Sequence, residues 1–168
     1  MTTTNFKGSP VHIDGEFIQT GVQAPEFELV KSDLSPLTLG SLKGRRVVLN
    51  IFPSLDTGVC ATSVRKFNKL ASSLPDTTVV AVSKDLPFAQ SRFCTTEGID
   101  NVVPASDFRT SGFDKAYGVL MSDGPLAGLL ARAVVVIDKA GKVVYTELVP
   151  EITEEPDYDK AVEAVKNN

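Results

Sequence analysis

A chain of 168 residues with 42% hydrophobic and 23% charged side chains has the balance of one domain that can bury a core without disulfides or metals, which argues against disorder and against a coiled coil. A formal net charge of −4 with no run of like charge lacks the basic footprint of a nucleic-acid binder. The single His12 and the two well-separated cysteines give no recognisable zinc or haem spacing, so no metal is expected. Met1 to Lys7 lacks the apolar core of a secretory signal. The longest apolar runs, such as Leu126 to Leu130 and Ala133 to Ile137, are far too short to span a membrane. A soluble, cytoplasmic chain is the default expectation, and two distant cysteines there are catalytic or inert rather than structural.

In chain order, residues 11–18 alternate around Asp14-Gly15, which predicts an N-terminal β-hairpin over about residues 10–19 with a two-residue turn. His12 falls on its first strand and reads as a partly exposed strand residue rather than a ligand. Ala24 to Val30 predicts a short strand entered through Pro25, and Ser32 to Gly44 a polar turn region. Arg46 to Phe52 is a near-continuous apolar run that suits a central strand covered on both faces. A helix from about Cys60 to Ser73 follows, then a buried strand over Thr77–Ser83, an order that implies a right-handed crossover and parallel pairing. Pro87 suits the start of a second helix and Gly98 its stop. Phe88, Phe93 and Ile99 are expected to face the core, and Cys94 belongs to this helix. Val102–Ala105 reads as a short strand, Phe113–Gly118 as a short helix or turn, and Met121–Gly128 as a loop. Arg132–Asp138 and Lys142–Leu148 predict a second hairpin on the sheet edge away from the crossover, and Tyr158–Val165 an amphipathic closing helix. The order describes one α/β domain over residues 1–168, with a central mixed sheet flanked by helices on both faces.

The chemistry concentrates at Leu49–Phe67. A buried strand runs into a Pro-Ser-Leu-Asp-Thr-Gly turn, and Val64, Phe67, Leu70 and Leu74 then recur at helical spacing, so Cys60 sits in or beside the first helical turn. Unpaired N–H groups and the positive end of the helix dipole there favour a thiolate over a thiol. The dipole alone is worth about 0.3 to 1 kcal/mol at exposed sites, so further donors or a cation are needed. The hydroxyl of Thr57 is a candidate donor, and Arg65 and Arg132 are candidate cations. Against this stands the plain alternative that an isolated cysteine is a small buried hydrophobe.

Pro53, Thr57 and Cys60 form P-x-x-x-T-x-x-C, which resembles the active-site motif of the peroxiredoxins, thiol-dependent peroxidases on a thioredoxin-like fold. The longer string SLDTGVCATSVRKFN resembles the bacterial thiol peroxidase branch, an atypical two-cysteine group, and the resemblance extends from Asp14-Gly15 to the C-terminal helix. It implies a thioredoxin-like core carrying an extra N-terminal hairpin. It also implies reduction of hydrogen peroxide and alkyl hydroperoxides by Cys60 as the peroxidatic residue, with Arg132 as the active-site arginine, Thr57 as a hydroxyl donor and Pro53 as a shield against water. Cys94, which as a lone helical cysteine reads equally as core filler, becomes the resolving residue that closes an intrachain disulfide with Cys60. The same resemblance implies thioredoxin as reductant, no bound cofactor, and a homodimer.

Three other readings use the same residues. A redox sensor would employ the cysteine pair to switch a surface, and turnover with thioredoxin separates it from a peroxidase. A general dithiol–disulfide exchange enzyme is disfavoured because Cys60 and Cys94 are far apart rather than arranged as C-x-x-C. A structural domain with two inert thiols would leave both unmodified by mild peroxide.

Overall fold

The computed structural model describes residues 2–109 and 112–168. The chain order is β1 (Thr3–Phe6), β2 (Ser9–His12), β3 (Glu28–Lys31), β4 (Pro36–Thr38), a 3-10 turn (Gly40–Leu42), β5 (Arg46–Ile51), α1 (Gly58–Ala71), β6 (Thr77–Ser83), α2 (Pro87–Glu97), β7 (Val102–Ser106), α3 (Phe113–Ala116), β8 (Ala133–Ile137), β9 (Val143–Leu148) and α4 (Tyr158–Lys166). Seven strands form one mixed sheet in the order β4-β3-β7-β6-β5-β8-β9. The expected parallel pairing of β5 with β6 is present, and β8 pairs antiparallel with both β5 and β9. The fold is therefore α/β with a central mixed sheet, as expected.

The alternation along β5 explains the two-sided core. Val47, Leu49 and Ile51 join one apolar cluster with Phe27, Phe113 and Tyr117. Val48 joins another with Cys60, Val64 and Phe67 of α1 and Ala161 and Val165 of α4. A run buried on both faces at period two is what a central strand between helical layers requires. Helix α2 ends at Gly98 in the left-handed conformation, φ 67°, as its position in the sequence predicts.

An N-terminal hairpin is present but displaced from the expected residues 10–19. Its strands are β1 and β2, paired from Thr3↔His12 to Phe6↔Ser9. The turn is Lys7-Gly8, at φ 51° and 82°, whereas of Asp14-Gly15 only Gly15 has positive φ. A type I′ turn needs positive φ at both central residues, and Lys7-Gly8 meets that requirement. Beyond β2 the chain instead pairs with the 120s, through Ile13↔Met121 and the Asp14 amide on the Leu120 carbonyl at 2.8 Å. A second correction concerns Phe88, which is 65% exposed rather than in the core. The inward positions of α2 are taken by Pro87 and Gln90, and the Gln90 amide donates to Ser83 Oγ and the Ala105 carbonyl, 3.1 Å each. Strand β4, within the region read as turn, was not expected.

Gly118 shows where the fold tolerates no side chain. Its φ is +65°, and a Cβ there would stand 1.9 Å from the Glu16 carbonyl oxygen; at Gly98, with similar φ, it would meet nothing within 4 Å. Gly118→Ala should lower the unfolding free energy by at least about 2 kcal/mol, and Gly98→Ala by about 1 kcal/mol. Denaturant titration of the two variants checks the contrast.

Candidate active site

The turn after β5 delivers Cys60 to the first turn of α1. Thr57 is the helix N-cap in extended conformation (φ −103°, ψ 144°), and the first i→i−4 bond runs from the Ala61 amide to the Thr57 carbonyl at 3.0 Å. The amides of Gly58, Val59 and Cys60 precede that bond, so they lie in the turn where a helix presents donors to an anion. The turn is fixed from below by Asp85, which accepts from Ser54 Oγ (2.7 Å), the Leu55 amide (2.8 Å) and Ser83 Oγ (2.7 Å). On the sheet side, buried Asn50 of β5 donates to Ser63 Oγ at 3.3 Å, and Ser63 donates to the Cys60 carbonyl at 2.8 Å.

Cys60 is fully buried, and Arg132 is 1% exposed. Arg132 Nη2 donates to Cys60 Sγ at 2.9 Å, while its Nε donates to the Ile152 carbonyl at 2.7 Å. Nη1 is buried with no hydrogen-bond partner. Sheet register brings the two residues together: Ile51 of β5 is opposite Ala133 of β8, so Arg132 enters beside the end of the strand that leads into the cysteine turn. Of the two candidate cations, Arg132 is the one at the sulfur. Arg65 is half exposed and pairs with Glu97 of α2 at 2.7 Å.

Thr57 is near the site, but its hydroxyl donates to the Ser54 carbonyl at 3.0 Å, so its contribution to the site as it stands is an oxygen able to accept. Pro53, Thr57, Gly58, Val59 and Arg132 line a cavity of about 290 Å³, closed by the apolar side chains of Phe6, Leu126 and Ile152 and by Lys7 and Thr153. The cavity reaches the guanidinium and stops short of the sulfur. A second cavity of about 330 Å³ lies at the opposite end of the sheet, by Val47 and Ile137, and touches neither cysteine. Among the described residues no group of three or more His, Cys, Asp or Glu side chains could hold a metal ion, and no helix is long and apolar enough to cross a membrane.

Cys94 lies in the third turn of α2, half-buried, and both cysteines are free thiols. Burial pushes the Cys94 thiol above its ordinary value. His12 is exposed and paired with Asp123, Nδ1 to Oδ2 at 2.6 Å, away from the cysteines. Sequence reasoning missed Asp85, Asn50, Ser63 and the Ile152 carbonyl. The only signal for the first three was polarity within or beside apolar strands and helix, and a backbone carbonyl leaves none.

A second charged cluster sits at the same edge of the sheet. Lys84 Nζ lies 3.1 Å from Asp107 and 2.8 Å from Asp114, all three side chains being buried or nearly so.

A thiol at a helix start beside a buried guanidinium, on a sheet of this topology, defines a thiol-based redox protein of the thioredoxin-like class. The redoxin family model matches residues 19–162. The thiol peroxidase of Corynebacterium glutamicum is 53% identical over 165 residues, covering 98% of this chain and 99% of that protein. The thiol peroxidase of Mycobacterium bovis is 52% identical over the same length and coverage. The crystal structure of a peroxiredoxin-like protein from Aquifex aeolicus superposes with a TM-score of 0.93 at 49% identity, covering 99% of this chain and 97% of that one. This chain belongs to the redoxin family, in its thiol peroxidase branch.

Burial pushes the Asp107 carboxyl up to about 6 despite the Lys84 ammonium. A carboxyl whose folded-state value is raised gives stability that is present at low pH and lost as pH rises through the folded value. Between pH 4 and 7 this group should therefore remove about 2 kcal/mol of stability. In Asp107→Asn that part of the decline should vanish, which chemical unfolding of both proteins at the two pH values measures.

Proposed function

We propose that this protein is a thiol-dependent peroxidase that reduces hydrogen peroxide and alkyl hydroperoxides through Cys60, and that Cys94 and thioredoxin return it to the dithiol form. The thiolate of Cys60 attacks one oxygen of the hydroperoxide and the O–O bond breaks. The sulfur gains that oxygen as a sulfenic acid, and the other oxygen leaves as water or an alcohol after taking up a proton. The thiol of Cys94 then attacks the Cys60 sulfur, expels water and forms the intrachain disulfide. Two thiols of thioredoxin reduce that disulfide and are themselves oxidised to a disulfide, which needs no cofactor on this chain.

The observation that carries this reading is the 2.9 Å contact between Arg132 Nη2 and Cys60 Sγ in a site from which water is excluded. A guanidinium stays charged and presents donors in a fixed plane, so it favours the anionic sulfur before attack. The same group, with its uncommitted Nη1, can donate to the departing oxygen as charge develops there. The oxygen of Thr57 is assigned to orienting the peroxide proton, and Pro53 to walling the sulfur from bulk water. The apolar wall of Phe6, Leu126 and Ile152 supports acceptance of alkyl groups. Exposed Leu86 (51%), Phe88 (65%) and Phe108 (36%) sit at neighbouring strand ends, which supports assignment of a homodimer. Free thiols fit a reducing, cytoplasmic setting.

Intact mass after about one equivalent of hydroperoxide at neutral pH tests both cysteine roles. The reduced wild type should lose two hydrogens, and Cys94→Ser should gain one oxygen on Cys60. Oxidation of the wild type without a disulfide would remove Cys94 from the mechanism. Absence of reaction in both proteins would end the peroxidase reading.

A further inference from the structure

We infer that Glu151 is a positioning residue for the active-site arginine: its carboxylate clamps the tip of the N-terminal hairpin to the segment whose Ile152 carbonyl aims Arg132 at Cys60. The inference rests on the reading of Cys60 and Arg132 given above.

Arg132 has two committed donors, Nε on the Ile152 carbonyl and Nη2 on Cys60 Sγ. Two hydrogen bonds to one planar group fix its plane, so a shift of the Ile152 carbonyl moves the guanidinium relative to the sulfur. That carbonyl belongs to the stretch beyond β9, which has no helix or strand of its own and is held from outside. Strand β1 runs beside it through a parallel bridge of Asn5 with Glu151. The Asn5 amide donates to the Pro150 carbonyl at 2.9 Å, and the Ile152 amide donates to the Asn5 carbonyl at 2.8 Å. Thr4, itself buried, donates its hydroxyl to the Val149 carbonyl at 2.8 Å.

The Glu151 carboxylate closes the arrangement. Its Oε1 accepts from the Gly8 amide at 2.8 Å, and its Oε2 accepts from the Lys7 amide at 3.1 Å and the Thr153 amide at 3.2 Å. Lys7 and Gly8 are the two positive-φ residues of the hairpin turn, so their amides have no partner across the ladder at that point. These bonds also hold the carboxyl below the usual carboxylate range, the Gly8 amide contributing most. One side chain thereby ties the hairpin tip to both neighbours of Ile152's peptide. Phe6 and Lys7 of the same tip line the cavity that leads to Arg132, so the clamp also sets one wall of the peroxide's approach.

The test is a double-mutant cycle on the single-turnover oxidation of Cys60 by hydrogen peroxide, in Cys94→Ser protein so that only the first step is read. Glu151→Ala should slow this step about tenfold, a size in keeping with a small misplacement of a positioning group. In an Arg132→Lys background, where the ammonium cannot make the two-point contact, the same substitution should change the rate by less than about twofold. Thermal unfolding of each variant separates lost stability from lost rate. Equal slowing in both backgrounds, or no slowing in a folded Glu151→Ala protein, would overturn the inference. Glu151→Gln keeps one accepting oxygen and serves in the same cycle should the alanine variant not fold. An Arg132→Lys protein with an undiminished rate would overturn the reading of the site itself, and this inference with it.

Discussion

A guanidinium held against a sulfur with no exposure to water is the constraint on which the rest of this structure depends. Burying a lone charge is costly unless it is paired and its donors are satisfied. Arg132 meets that demand with one carbonyl and one sulfur, and leaves Nη1 without a partner. An unsatisfied donor on a buried cation raises the energy of the resting state, and a substrate oxygen arriving in the adjoining cavity lowers it. The same atom that makes the free protein less stable thus favours the bound one. Asp85, Asn50 and Ser63 serve the other half of the pair, since they fix the turn and the first coil of α1 that hold the sulfur in place.

The topology explains why the two residues meet although 72 positions separate them. Strand β5 is central and runs toward the cysteine turn, and β8 is antiparallel to it with Ile51 opposite Ala133. The end of one strand and the start of the other therefore coincide at one edge of the sheet. A helix start placed at that edge adds its free amides, and an arginine one residue before β8 adds its charge. The N-terminal hairpin, outside the seven-stranded sheet, packs on the third apolar cluster, where Val11, Ile13 and Met121 meet Ile152. An element that contributes nothing to the central sheet still reaches the active site.

Much of this was legible in the sequence where the signal is local. Strand β6 follows from the apolar Thr77–Ser83 run, α2 from Pro87 at one end and Gly98 at the other, and the place of Cys60 from the turn residues before it. The misreadings have a common cause. Asp14-Gly15 is the stronger turn pair in isolation, but Ile13 and Asp14 find partners in the 120s, so tertiary pairing overrides it. Phe88 has the composition of a core residue, yet the polar Gln90 holds the inward position because Ser83 and Ala105 supply its hydrogen bonds. Glu151 and Asp85 look like any surface acids in the sequence. Their roles come from amides and hydroxyls as far away as Gly8 and as close as Ser83, and no periodicity encodes such partners.

The proposed disulfide places opposite demands on the two halves of α2. Closing the loop between Cys60 and Cys94 is worth about 4 kcal/mol in the chain-entropy account, which must exceed whatever native contacts are lost in bringing the sulfurs together. The first half of the helix is anchored by buried Gln90, and opening it would strand an amide away from water. The second half is tied by exposed pairs, Arg65 with Glu97 at 2.7 Å and Arg92 with Asp56 at 3.7 Å, and by half-buried Phe93 against the core. Exposed ion pairs are worth at most about 1 kcal/mol each. The stretch that carries Cys94 is thus the part of α2 that opens at least cost, while the turn that carries Cys60 is anchored through Asp85 and Ser63. On that balance the resolving cysteine travels to the peroxidatic one, and the charge arrangement around Cys60 survives until the sulfenic acid has formed.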